Sequence, residues 1–135
     1  MEPNTQLKPG LRAEKTETVT SENTAEAWGS GGLPVYATPA MIALMEGAAV
    51  AAVQDWLPQG FSTVGTELNV KHLSASPLGM GIRALGELIE IDGRRLRFKV
   101  EAHDRAGKIG EGFHERFIIE NERFLKKTRE KSASR

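Results

Sequence analysis

From Pro39 to Val53 every position is apolar or small except Glu46, in the run TPAMIALMEGAAVAAV that begins at Thr38. A helix that is apolar all round is normally buried all round. Fifteen residues rising 1.5 Å each span roughly 22 Å, which is short for a bilayer crossing. The run therefore predicts a helix through the interior of a globular domain. Thr38 is a good N-cap, Pro39 suits the first helical position, and Pro58 and Gly60 stop the helix.

The rest of the chain alternates with a period of two. Leu11 to Thr20 predicts a first strand, and Ser21 to Pro34 a loop with one helical turn around Ala25 to Trp28. Gly29, Gly31 and Gly32 make this loop either a mobile lid or a plain connection. Phe61 to Leu73 predicts a second strand. Val64, Thr66, Leu68, Val70 and His72 share one face, and Thr63, Gly65, Glu67, Asn69 and Lys71 the other. The apolar set contains His72, which is expected to face the helix. Ser74 to Gly79 is a turn. Met80 to Ile91 and Arg94 to Asp104 form a hairpin around Asp92-Gly93, and Lys108 to Glu120 is a last strand. Leu96, Phe98, Val100 and Ala102 point one way, Arg95, Arg97, Lys99 and Glu101 the other, so the sheet has one buried and one wet face.

The expected layout is a flexible N-terminal tail over residues 1–9, one α+β domain over 10–125, and a basic tail over 126–135. A single sheet shields only part of a helix that is apolar all round. Either the sheet curves strongly or a second copy of the chain closes the other side.

Length and composition narrow the class. At 135 residues one domain with its own core is expected. Eighteen basic residues balance eighteen acidic ones, which argues against a general nucleic-acid binder. There is no cysteine, so disulfides, thiolate metal sites and cysteine nucleophiles are excluded. The three histidines lack zinc spacing, and no metal is expected. Gly79 to Gly81 precedes a strand rather than a helix and is not a phosphate loop. The N-terminus has no apolar signal core and no stretch suggests a membrane anchor, so a cytoplasmic protein is expected.

Three strings carry a resemblance: VYATPAMIALMEGAAVAAV, TVGTELNVKHLSASPLG and EIDGRRLRFKVEAHDRAGKIGEGFHERFII. They resemble the hot-dog acyl-CoA thioesterases, in the branch that includes fluoroacetyl-CoA thioesterase. The resemblance covers nearly the whole chain from Leu7. It implies a hot-dog fold, a curved antiparallel β-sheet wrapped around one long central α-helix. It also implies thioester hydrolysis of an acyl-CoA, and a homodimer with sites at the subunit interface. By motif, Thr38, Glu46 and His72 are the implied catalytic residues. Gly65, Arg116 and Tyr36 are the implied substrate-binding residues. No cofactor is implied, CoA entering as part of the substrate. One departure stands out. Aromatic side chains are expected ahead of the helix to close over a fluoroacetyl group, but here that segment is WGSGGLPVY. A different acyl group is favoured.

The residue types suit the chemistry. Thioester hydrolysis needs a nucleophile or activated water, and donors for the developing oxyanion. Glu46 fits either as base toward water or as attacking group; its structural alternative is a buried glutamate held by a local hydrogen bond. His72 would orient that carboxylate, donate to the carbonyl or protonate the thiolate, and is otherwise a hydrogen-bonded core residue. Thr38 sits where a helix N-terminus holds a polarised carbonyl. Gly65 lets substrate approach closely. Arg116 either binds a carboxylate or the CoA arm, or pairs with Glu115 or Glu111. Two other functions stay open: a hot-dog enoyl-CoA hydratase or dehydratase, and a non-catalytic acyl-CoA binding module.

Overall fold

The structure, a computed structural model, describes residues 2–133. Five strands and three α-helices follow in the order β1 (Arg12–Thr18), α1 (Ala25–Trp28), α2 (Thr38–Val53, continued by a 3-10 turn at Gln54–Trp56), β2 (Phe61–His72), β3 (Gly81–Asp92), β4 (Arg95–Asp104), β5 (Gly107–Glu120) and α3 (Asn121–Ala133). All strand pairings are antiparallel, in the sheet order β1-β3-β4-β5-β2. β2 is thus an edge strand twelve residues long. The β3–β4 hairpin closes one residue later than Asp-Gly predicts. Asp92 pairs with Arg95, so the loop is Gly93-Arg94, with Gly93 at φ 62°.

The helix α2 lies on the face of the sheet built by Ile82, Ala84 and Leu88 of β3 and Leu96, Phe98, Val100 and Ala102 of β4, all buried. Its own buried positions are Ala40, Met41, Leu44, Met45, Ala48, Ala49, Ala52 and Val53. These form one wide stripe at helical spacing. The opposite strip is not covered: Thr38, Pro39, Ala43 and Ala51 are exposed, and Ile42, Glu46, Gly47 and Val50 are half-buried. The helix is therefore apolar all round but buried by its own chain on one side only.

Close packing under α2 depends on Gly86 of β3. A Cβ there would lie 2.8 Å from the Ala49 nitrogen and 3.0 Å from the Ala48 carbonyl carbon, both helix backbone. Backbone cannot swing aside as a side chain can. Gly86→Ala is expected to cost about 1–3 kcal/mol, the usual range for overpacking, read as a lower urea midpoint with unchanged m.

The N-terminal expectation is corrected, and the basic C-terminal segment, exposed as expected, takes a helical form. The segment before Gly10 is packed rather than loose: Leu7 is buried, the Asn4 side chain donates to the Gly93 carbonyl at 2.7 Å, and Gly10 N–H donates to the Leu88 carbonyl at 2.8 Å. Residues 126–133 of the expected basic tail are helical, as part of α3. Lys, Arg and Glu favour helix, Glu122 and Lys131 sit at the ends the helix dipole favours, and Asn121 N–H is anchored on the Gly60 carbonyl at 2.9 Å. Residue 1 and residues 134–135 of those tails lie outside the described residues. Among the described residues no helix is long and apolar enough to cross a membrane.

β2 corrects the simple alternation. Its pairing with β5 shifts between Gly65 and Glu67, where one extra residue enters the strand. Before the shift Thr63 and Gly65 point toward α2; after it Leu68, Val70 and His72 stand opposite His114, Gly112 and Gly110 of β5. Val64 and Thr66, expected on the helix side with His72, are on the other face.

Candidate active site

The expected site residues fall into two groups. The first stands at the N-terminus of α2. Thr38 does not cap the helix with its side chain. Met41 N–H is bonded to the Ala37 carbonyl at 3.0 Å, and no side-chain cap is present. The Thr38 hydroxyl is instead 2.7 Å from Nδ1 of His72. Burial holds the His72 pKa below the usual imidazole value, so the ring is neutral near pH 7. Its Nε2 is buried and has no hydrogen-bond partner among the described residues. Thr38 and His72 share an open cavity of about 300 Å³ with Ser30, Tyr36 and Leu73.

Tyr36 forms a wall of this cavity, yet it is almost wholly buried and its hydroxyl donates to the Glu17 carboxylate. Burial, with the Glu17 charge beside it, pushes the phenol far above its ordinary range. Its hydroxyl is already committed within the fold. The glycine segment ahead of α2 is folded back on itself. Ala25 N–H donates to the Val35 carbonyl at 2.7 Å and Ser30 N–H to the Ala25 carbonyl at 3.0 Å. Gly29 closes α1 at φ 69°. The Trp28 indole is tied to the Glu22 carbonyl at 2.7 Å, and Leu33 projects into solvent.

The second group lies about 12 Å further along α2, eight residues from Thr38 at 1.5 Å each. Glu46 is half-buried on the uncovered strip, with its side chain 37% exposed. Its Oε2 is 3.5 Å from Nη1 of Arg116 and 4.0 Å from Nε2 of His114. Arg116 is nearly buried. Its Nε donates to the Thr63 hydroxyl at 2.7 Å and its Nη2 to the Thr63 carbonyl at 2.9 Å. Burial lowers the Arg116 pKa and the Glu46 carboxylate opposes that; the guanidinium stays charged. Gly65 lies directly under this cluster. A Cβ there would meet Glu46 Oε2 at 3.0 Å and Arg116 Nη1 at 3.3 Å, so glycine is what lets the carboxylate reach the guanidinium.

Three expectations change here. No hydrogen bond or ion pair joins His72 to Glu46 among the described residues; His72 belongs with Thr38, and Glu46 with Arg116. Arg116 does not pair with Glu115 or Glu111. Glu115 is taken by Arg95 at 2.8 Å and Arg97 at 3.0 Å on the outer face of the sheet, and Glu111 by Lys108. His114, not singled out by the sequence, is fully buried beside Arg116. Its signal is the period of two along β5, which sets Gly112, His114, Arg116 and Ile118 on the helix side.

The arrangement offers a half-exposed carboxylate backed by a fixed cation, and a hydroxyl–imidazole pair at a helix N-terminus. The first suits activation of water or direct attack. The second suits polarising a carbonyl or protonating a leaving group.

Residues 19–122 match the family model described as fluoroacetyl-CoA-specific thioesterase. The fluoroacetyl-CoA thioesterase of Streptantibioticus cattleyicolor is 42% identical over 98 residues, 73% of this chain and 70% of the relative. A solved structure of a fluoroacetyl-CoA thioesterase, described for the structural basis of its activity and substrate specificity, is similar: 34% identical with a TM-score of 0.86, covering 93% of this chain and 97% of that one. A hot-dog-like protein from Thermanaerovibrio acidaminovorans superposes with a TM-score of 0.89 over the whole of both chains at 24% identity, a likeness of fold alone. The antiparallel sheet with α2 against it is a hot-dog fold, and the chain belongs to the fluoroacetyl-CoA-specific thioesterase family, an enzyme of the thioester hydrolase class.

Proposed function

We propose that this enzyme hydrolyses a small acyl-CoA thioester to free acid and CoA, and that it does so as a homodimer. The observation that carries the reading is Glu46. It is the one carboxylate on the uncovered strip of α2, it is backed by Arg116, and it stands over Gly65. Glu46 acts as general base toward water or as nucleophile. Thr38 and His72 bind the carbonyl end, and the proton released by the attacking water is handed through them to the departing thiolate. Gly65 and Arg116 line the carbonyl site from the sheet, and Tyr36 forms part of the wall.

Homodimer formation is supported by what a single chain leaves open. The α2 strip from Thr38 to Ala51, the unpaired edge of β2, and the exposed Leu68 and Leu73 lie along one side. A strand edge and an apolar helix face left open together invite a second copy. A two-fold axis near Ile42 would run the two α2 helices antiparallel. Thr38 of each chain then faces Glu46 of the other. Each site would be built from both chains, uniting the two groups that one chain keeps apart.

The acyl group we propose is not fluoroacetyl. The relative named for that substrate is specific for it, but Gly29 to Gly32 here carry no side chain larger than serine. Release of free thiol from short, branched, aromatic and fluoroacetyl CoA thioesters tests this. The expected result is turnover of at least one small acyl-CoA, with no preference for fluoroacetyl over acetyl. Consumption of enoyl-CoA or 3-hydroxyacyl-CoA without thiol release would replace the reading with a hydratase or dehydratase. Binding without any turnover would replace it with a binding module.

A further inference from the structure

His114 has both ring nitrogens assigned by their neighbours. Nδ1 is 2.8 Å from the carbonyl oxygen of Glu67, which can only accept, so Nδ1 carries a hydrogen. Nε2 is 3.0 Å from Nη1 of Arg116, which can only donate, so Nε2 offers its lone pair. The imidazole is therefore neutral, in one tautomer. Glu67 follows the irregularity in the β2–β5 ladder, and that is where the chain turns a carbonyl toward the ring.

The consequence falls on Arg116. Thr63 takes Nε and Nη2, at 2.7 and 2.9 Å, and His114 takes Nη1. Every nitrogen of the guanidinium has a partner before Glu46 is counted. What remains of Nη1 points at the Glu46 carboxylate, 3.5 Å away. The groups facing the ring are few. Phe98 of β4 packs at 6.3 Å between ring centroids, β2 presents the Glu67 carbonyl, and among the described residues the only charged side chains are Arg116 of β5 and Glu46 of α2. Protonation of Nε2 would set two donors against each other. Burial, aided by the Arg116 charge, holds the imidazole pKa below its usual value and keeps that state away.

We infer that His114 is a positioning residue, a neutral acceptor that fixes Arg116 so that the guanidinium meets Glu46 at the reacting side. The inference rests on the proposed role of Glu46. It names no further contact with substrate.

Two measurements test it. Nitrogen-15 NMR of the intact chain reads the tautomer directly. The expected pattern is one protonated and one bare ring nitrogen for His114 at neutral pH, with any titration displaced below the ordinary histidine range. A proton on Nε2, or titration near the ordinary histidine value, overturns the inference. Kinetics of two variants read the consequence. His114→Leu is expected to lower kcat by about 10–100-fold, the range for orienting partners in metal sites, with KM changed by less than about two-fold and the acid limb of the kcat profile moved to higher pH. His114→Gln keeps an acceptor toward Arg116 and is expected to recover most of that loss with the parent profile. A folded His114→Leu with parent kcat overturns the inference, as does equal loss in both variants with an unmoved profile. Where His114→Leu does not fold, the NMR result on the parent decides. Should the parent hydrolyse no acyl-CoA, the proposed function fails, and the tautomer still decides whether His114 holds Arg116.

Discussion

Glu46→Gln is expected to lower turnover in the thiol-release assay by about 10²–10⁴-fold, the range for loss of a positioned acid or base, while the fold is retained. Glutamine keeps the length and shape of the side chain and still reaches over Gly65. It loses the negative charge and the basic oxygen. The Glu46 side chain is 37% exposed, so solvent screening keeps the cost in stability small, on the order of 1 kcal/mol. Arg116 loses its carboxylate counter-ion but keeps its hydrogen bonds to Thr63 and His114, so its donors stay satisfied. The two effects therefore separate. Glu46→Asp sharpens the comparison. It retains the charge but draws the carboxylate back by one methylene from Gly65, and is expected to fall between the parent and Gln. Parent-like turnover in a folded Glu46→Gln would remove the residue from the chemistry, whatever its neighbours.

Much of the fold was legible because it rests on local periodicity. The alternation from Arg95 to Ala102 sorts buried from wet positions correctly, and α2 is marked by composition alone. The misses have definite causes. A one-residue insertion at Gly65–Glu67 reverses the facing of the first half of β2, and a period-of-two reading cannot see an insertion. Thr38 has the side chain of an N-cap, but Ala37 supplies the backbone acceptor and frees the hydroxyl for His72. The partners of Arg116 are set by packing across β2, β5 and α2. Glu115, its neighbour in sequence, points to the opposite face of the sheet, so proximity along the chain misleads. The uniform apolarity of α2 was informative in a different way. It exceeds what one sheet covers, and the structure locates the excess along Thr38, Ile42, Ala43, Glu46 and Val50.

That uncovered strip leads to the second large effect. If each site unites Thr38 and His72 of one chain with Glu46 of the other, two inactive variants complement each other. Take His72→Ala and Glu46→Gln, each inactive alone, unfolded together and refolded as a mixture. Random pairing makes half the dimers mixed. In a mixed dimer one site carries both substitutions and the other carries neither. The mixture is then expected to show about one quarter of the parent activity per site, against almost none for either variant alone. Sites contained within single chains predict the opposite, because every site in a mixed dimer would then carry one lesion. The geometry favours the shared site. Thr38 and Glu46 stand about 12 Å apart along one helix, too far for both to reach a single thioester carbonyl, whereas antiparallel packing about Ile42 brings each against the other's counterpart. Light scattering on the same samples must show the dimer. A dimer in which mixing restores nothing would confine each site to one chain, and Thr38 with His72 would lose their place in the reaction that Glu46 performs.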